Sequence, residues 1–247
     1  MKCVVADGAG GMVEKGIAAC AGAKLHVEKK QIQPPQATIR RLSAYLRCLN
    51  GFDDEGLTVV SSQELAMRLD LNPAQVRKDL AYFGEFGKRG VGYTVAKLRD
   101  HLVKILGLER KRMVGIVGAG GRLGKALASY RGFERRNFKV VALFDKDPRV
   151  IGQVVGASSA IRHVSEIPKA VKELNIEILI LTVPVEAVHE VFEIAQLSGV
   201  KAVLNFAPFK LFSTPQVTVH NVDLAMELES LSYHLSLGEK LPQGDIL

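Results

Sequence analysis

The sequence predicts an α/β chain in which a small winged helix-turn-helix domain precedes a doubly wound parallel sheet of Rossmann type, with one further helix at the C-terminus. Three observations carry that expectation. Helix-start signals at Ser61 and Asn72 are followed by glycines at 84, 87, 90 and 92 among aromatic and apolar residues. From residue 113 onward, short apolar runs alternate with helical segments, the pattern of a parallel sheet covered by crossover helices. Behind the first of those runs, Gly118-Ala-Gly-Gly-Arg-Leu-Gly124 marks a strand turning tightly into a helix.

Composition sets the frame for both domains. At 247 residues and 47% apolar side chains, the chain has room for two ordinary domains with a core in each. No stretch reaches the roughly 18 to 20 uncharged apolar residues of a membrane span, and the start lacks the pattern of a signal peptide, so a cytoplasmic location with no membrane partner is expected. Cys3, Cys20 and Cys48 form no CxxC pair, which argues against both a disulfide framework and a metal site. The formal charge of +7 permits an anionic partner.

Taken in order, residues 1–33 are rich in Gly and Ala, show no sustained period and end before Pro34-Pro35, which predicts a loose extension. Residues 34–110 read as the winged-helix domain. Ile39, Leu42, Leu46 and Leu49 recur at helical spacing, with Gly51 expected to stop that helix. Ser61-Ser-Gln-Glu64 is a capping box, starting a helix to about Asp70, and Asn72-Pro-Ala-Gln75 starts the next. The glycines that follow suit a bent hairpin, the wing. Residues 95–106 return to helical spacing before the basic linker Glu109-Arg-Lys-Arg112.

Residues 111–222 read as the Rossmann domain, with strands expected at 113–117, 140–144, 178–183, 200–204 and 217–222 and a weaker one near 161–164. The glycine turn fits either G-x-G-x-x-x-G or a reading that starts Gly118-x-x-Gly121-x-x-Gly124. In either form the backbone can approach a pyrophosphate resting on amides at a helix N-terminus. Asp145 closes the next strand, 21 residues beyond Gly124. A carboxylate there can accept from ribose hydroxyls and repel a 2′-phosphate, favouring NAD(H) over NADP(H). The plain alternative is a solvated residue opening the turn Asp145-Lys-Asp-Pro148.

In the second helix of the pair, Val76, Leu80 and Phe83 form an apolar face and leave Gln75, Arg77, Lys78 and Tyr82 on others, as a helix entering a major groove needs. Lys88 and Arg89, at the hairpin tip, suit phosphate or the minor groove. From Leu57 to Arg112 there are 11 Lys and Arg against 6 Asp and Glu. A solvated charged helix remains the alternative.

The string Gln75-Val-Arg-Lys-Asp-Leu-Ala-Tyr-Phe-Gly84, continuing through Phe86-Gly87, Arg89-Gly90 and Val91-Gly-Tyr93, closely resembles the DNA-binding domain of Rex, the bacterial redox-sensing repressors. The resemblance extends over about residues 36 to 237, through Phe144-Asp145, Asp147-Pro148, Leu181-Thr-Val-Pro184, Asn205-Phe-Ala-Pro208 and Asn221-Val-Asp223. It implies a homodimer that binds a palindromic double-stranded DNA operator and releases it when NADH, sensed against NAD+, is bound. It implies a nucleotide site over Gly118, Ala119, Gly120, Gly121, Arg122, Leu123, Gly124, Asp145, Thr182, Val183 and Pro184. The turn carries one residue more than the family's, so either Gly118 or Ala119 takes the place of the first glycine. The resemblance further implies a switch in which Asp223 pairs alternately with Arg47 and with Tyr130. Asp223 also reads as the cap of a helix from Leu224, where relatives often carry Phe. In residues 223–247 that helix, with Leu224, Leu228, Leu231 and Leu235 on one face, resembles an arm crossing to a partner subunit; a core helix of its own domain is the other reading.

Two other classes were open on the residues alone. An NAD-dependent enzyme is suggested by the local likeness of Gly118 to Gly124 to the turn of dihydrodipicolinate reductases. His163, His189, His220 and His234 nevertheless lie apart, with no acid or base evidently placed for hydride chemistry, so no catalytic residue and no metal ligand is expected. A plain CoA-binding or structural Rossmann module would leave the basic winged helix unexplained.

Overall fold

The structure, a computed structural model, describes residues 3–6, 12–15, 34–88, 90–156 and 160–236. The chain forms two compact units, residues 1–34 and 35–247. In the first, β1 (Cys3–Ala6) and β2 (Met12–Lys15) pair antiparallel, with Cys3 opposite Lys15. The expected loose extension therefore contains a strand pair. Its strands of four residues are too short to register in a periodicity window, although both carry valine.

The second unit opens with α1 (Gln36–Asp54), which runs through Gly51 instead of stopping there. Phe52 explains the continuation. It is buried, under the Arg68 guanidinium 4.2 Å from its ring centroid, and ending the helix at Gly51 would remove it from the core. The actual stop is Gly56 at φ +78°: the Gly56 N–H donates to the Asp53 carbonyl and the Leu57 N–H to the Phe52 carbonyl, a Schellman closure.

After β3 (Val59–Val60), α2 (Ser62–Arg68) carries the expected capping box: the Ser61 hydroxyl accepts from the Glu64 N–H at 3.1 Å, and the Glu64 carboxylate accepts from the Ser61 N–H at 2.6 Å. Asn72 caps α3 (Pro73–Ala81), accepting from the Ala74 N–H at 2.8 Å. Strands β4 (Gly87–Lys88) and β5 (Gly92–Thr94) form the wing, and β3 pairs with the other edge of β5. With α4 (Val95–Ile105), these elements enclose one apolar core that includes Leu42, Tyr45, Leu49, Leu65, Val76 and Leu98.

The sheet that follows holds β6 (Arg112–Val117), β7 (Phe138–Asp145), β8 (Ile161–His163), β9 (Ile176–Leu181), β10 (Ala202–Asn205) and β11 (Thr218–Asn221), all parallel in the order β11-β10-β9-β6-β7-β8. Counted from β6, that is the doubly wound order whose direction reverses between β6 and β9. Helix α5 (Arg122–Ala128) follows β6, while α6 (Ile167–Leu174) and α7 (Val185–Ser198) contribute to a core with Leu179, Leu181 and Val203. The basic linker is fastened to the sheet: Arg110 donates twice to the Glu177 carboxylate, at 2.8 and 2.7 Å, and Arg112 once at 2.7 Å.

The last helix, α8 (Leu224–Ser236), has no buried residue; Leu228 is 67% and Leu235 81% exposed. It is not a core helix of its own domain. No helix of the described residues is long and apolar enough to cross a membrane.

Candidate functional site

The glycine turn lies at the reversal point of the sheet, where crossovers leaving in opposite directions open a crevice. Gly118 turns the chain out of β6 at φ +87°, and a Cβ there would stand 2.7 Å from the Thr182 carbonyl oxygen. Of the two residues that can stand first in the motif, Gly118 has the conformation that needs glycine. Ala119 points inward and is buried, with its N–H donated to the Phe144 carbonyl at 3.0 Å. At Gly120 a Cβ would meet Val150 at 2.6 Å and the Asp145 carboxylate at 2.8 Å. Gly121 is the N-cap of α5, and a Cβ on Gly124 would collide with the Gly118 carbonyl. Gly118, Gly120 and Gly124 each answer to a close approach that a side chain would obstruct.

The crevice has a volume of about 640 Å³ and is bounded by Gly118, Gly120, Gly121, Asp145, Thr182, Val183 and Pro184 from the expected set. Of the other expected residues, Ala119 and Gly124 are buried in the turn and Arg122 and Leu123 are exposed on α5; none of the four lines the crevice. Lys146, Val150, His163 and Val164 line it too, and sequence reading missed them. They sit on the loop after β7 and around β8, the strand expected near 161–164, whose part in the crevice no local motif marks. Thr182 donates to the Val117 and Gly118 carbonyls at 2.9 and 3.2 Å, tying the far wall to the turn.

Asp145 is fixed from two sides. One oxygen accepts the Gly120 N–H at 2.8 Å and the other the Asp147 N–H at 3.0 Å, so the carboxylate both braces the turn and opens the loop. Each oxygen keeps a lone-pair direction for a hydroxyl donor. The residues present fit a dinucleotide: the backbone is bare of side chains where a pyrophosphate would pass, and an acceptor stands at the end of the neighbouring strand.

On the winged helix, Arg77, Lys78 and Tyr82 are exposed, with Arg77 donating to the Ser62 hydroxyl at 2.9 Å. Lys88 belongs to β4, and Arg89 lies outside the described residues. Asp79 departs from the solvated-helix alternative. It is 0% exposed and accepts from Arg41 Nε at 2.5 Å and Nη2 at 2.8 Å, from the Tyr45 hydroxyl at 2.8 Å, the Thr38 hydroxyl at 3.1 Å and the Gln75 amide at 2.7 Å. Burial pushes its carboxyl up, but the hydrogen bonds from Arg41, Tyr45 and Gln75 outweigh it and hold the group below its ordinary range. Burial, then the bond to Asp79, pushes the Tyr45 phenol well up. The missed signal was spacing: Thr38, Arg41 and Tyr45 share one face of α1, and Asp79 falls three residues after the buried Val76.

The three expected switch residues stand apart. Arg47 lines a cavity of about 400 Å³ with Arg135 and Arg136, and Tyr130, 54% exposed, lines an apolar one of about 360 Å³. Asp223 caps α8, accepting from the Ala225 N–H at 2.9 Å. Among the described residues, no hydrogen bond joins any two of the three. Arg40 of α1 reaches His220 of β11 at 3.0 Å. No group of residues suited to a metal ion occurs among those described.

Comparison with known proteins resolves the class. The redox-sensing transcriptional repressor Rex of Desulforamulus reducens is 46% identical over 211 residues, covering 85% of this chain and 100% of that protein. This chain belongs to the Rex family. Rex 1 of Thermotoga maritima is 42% identical over 201 residues, 81% of this chain and 95% of that protein. Two family profiles match Rex domains here: Putative DNA-binding protein N-terminus over residues 34–81, and CoA binding domain over residues 109–209. Among solved structures, the Rex-family repressor RSP in complex with β-NAD+ and operator DNA is similar at TM-score 0.78 and 34% identity, covering 83% of this chain and 93% of that one. RSP in complex with β-NADH gives TM-score 0.73 at 32% identity, covering 83% and 95%.

Proposed function

We propose that this Rex-family chain is a DNA-binding repressor, and not an enzyme, that senses the NADH/NAD+ ratio and releases a palindromic operator when NADH binds. The observation that carries the reading is the presence, in one compact unit, of an exposed basic recognition helix and a crevice with a bare glycine turn and a strand-end carboxylate. RSP, similar over nearly its whole length, has been solved with NAD+ and operator DNA and with NADH. In this reading Gly118, Gly120 and Gly121 face the pyrophosphate, Asp145 accepts from the adenosine ribose, and Thr182, Val183 and Pro184 form the opposite wall. Gln75, Arg77, Lys78, Tyr82, Lys88 and Arg89 contact the operator. The division into an extension at 1–33, a DNA-binding domain at 34–110, a nucleotide domain at 111–222 and an arm at 223–247 belongs to the same reading, as does a cytoplasmic location beside the chromosome.

The homodimer rests on α8. A helix with every apolar side chain in water is unfavourable by about 25 cal/mol for each Å² of apolar surface left uncovered. The same helix of a second copy, seated on the apolar cavity lined by Tyr130, Phe133, Ile178 and Leu204, would cover both. Asp223, at the root of the arm, pairs alternately with Arg47 and with Tyr130, and the choice between them sets the angle of the DNA-binding domains.

The test is an anisotropy titration at fixed salt, with a duplex selected by the protein from random DNA. NADH should weaken binding at least tenfold, NAD+ much less, and coenzyme A not at all; Asp145→Ala should bind the duplex and ignore NADH. Equal effects of the two nucleotides would sink the sensor reading.

A further inference from the structure

The buried carboxylate of Asp79 does more than join two helices, because one of its five donors is a side chain of the proposed DNA-reading face. Gln75 stands four residues before Asp79, in the first turn of α3, and its amide nitrogen lies 2.7 Å from Asp79 Oδ1. An ionised carboxylate only accepts hydrogen bonds, so the nitrogen of the carboxamide must face it and the oxygen must face away. Without that neighbour, a glutamine side chain can present either end outward.

Asp79 cannot turn to follow Gln75. Its oxygens are held by two bonds from Arg41 and one each from Tyr45 and Thr38, and the side chain is wholly buried. We propose that Asp79 is a positioning residue for operator recognition: it fixes the Gln75 carboxamide with its oxygen outward, so that the recognition helix selects a base presenting an exocyclic amine in the major groove, adenine above all, and rejects guanine. The proposal rests on the DNA-binding reading above.

The chemistry of base edges supplies the selection. Gln75 Nε2 has two hydrogens; Asp79 takes one, leaving the second N–H beside the outward oxygen. That pair, one acceptor and one donor, matches adenine in the major groove, whose N6 amine donates and whose N7 accepts. Guanine offers O6 and N7, both acceptors, and so leaves the Gln75 oxygen facing a lone pair. The first turn of a recognition helix is where base edges are met.

The experiment is selection by the full-length protein from a randomised double-stranded DNA pool, read position by position for wild type, Asp79→Asn and Gln75→Met. Wild type should show a position in each half-site where adenine is preferred over guanine by roughly tenfold, the order expected of one bidentate contact. Gln75→Met should abolish that preference while the remaining positions keep theirs. Asp79→Asn, whose amide can offer either a donor or an acceptor to Gln75, should reduce it to within about twofold.

A purely structural Asp79 predicts something different: weaker binding at every position with the preference retained, and that result overturns the proposal. So does a Gln75→Met variant that still distinguishes adenine from guanine. If Asp79→Asn does not fold, by circular dichroism, the Gln75→Met result decides, with Tyr45→Phe as a control that removes one donor and should leave the preference in place. Failure of the wild-type protein to enrich any sequence would instead defeat the DNA-binding reading itself.

Discussion

His220 is the residue at which a single proton reaches furthest, because the Arg40 guanidinium on α1 approaches its Nε2 at 3.0 Å. Arginine can only donate, so Nε2 must accept and the ring must be neutral. Burial, and then the charge of Arg40, pushes the imidazole below its ordinary value. The folded protein therefore holds fewer protons here than the unfolded chain. The stability this pair contributes is complete above the ordinary imidazole value of about 6.5 and is lost as pH falls through the lower folded value. We expect His220→Gln, which keeps an acceptor but does not titrate, to flatten the fall of thermal midpoint between pH 7 and pH 5; an unchanged slope would show that the pair contributes nothing. Asp145 was legible in the sequence because its position at a strand end carries meaning by itself. Asp79 was not, because a carboxylate between Lys78 and a leucine looks solvated until the partners on α1 are folded against it.

At the scale of elements, the recognition helix is assembled from signals that are local and therefore readable. Asn72, Pro73 and the apolar spacing of Val76 and Leu80 place its start and its buried face. Replacing Lys78 by Ala should weaken operator binding and reduce the slope of log affinity against log salt by about one, the signature of a lost phosphate contact. An unaltered slope in titrations at two or more salt concentrations would remove Lys78 from the phosphate backbone. Elements decided by tertiary packing were harder to read. Gly51 looks like a helix stop, yet the burial of Phe52 outweighs roughly 1 kcal/mol of glycine's helix penalty. The two-residue strand β3 exists only because β5 offers it an edge, and no sequence window can contain that information.

For the whole molecule, the alternation of apolar runs disclosed the sheet, its parallel pairing and the crevice at its reversal point. What it did not disclose was which helix would remain uncovered, since α8 carries the same leucine spacing whether it faces a core of its own or one belonging to another copy. Exchanging Leu228 and Leu231 together for Glu should shift the sedimentation coefficient from dimer to monomer and reduce operator affinity by at least tenfold, while the nucleotide still binds. A protein that remained dimeric after that exchange would assign the interface to another surface. The clamp of Arg110 and Arg112 on Glu177 has a mechanical corollary. Glu177 is the second residue of β9, whose far end leads into Thr182, so one extended segment joins the linker to the crevice wall, about 17 Å away at the usual rise per residue. The linker that joins the winged helix to the sheet is thus pinned to the strand that leads to the crevice wall, and not slung from a slack tether.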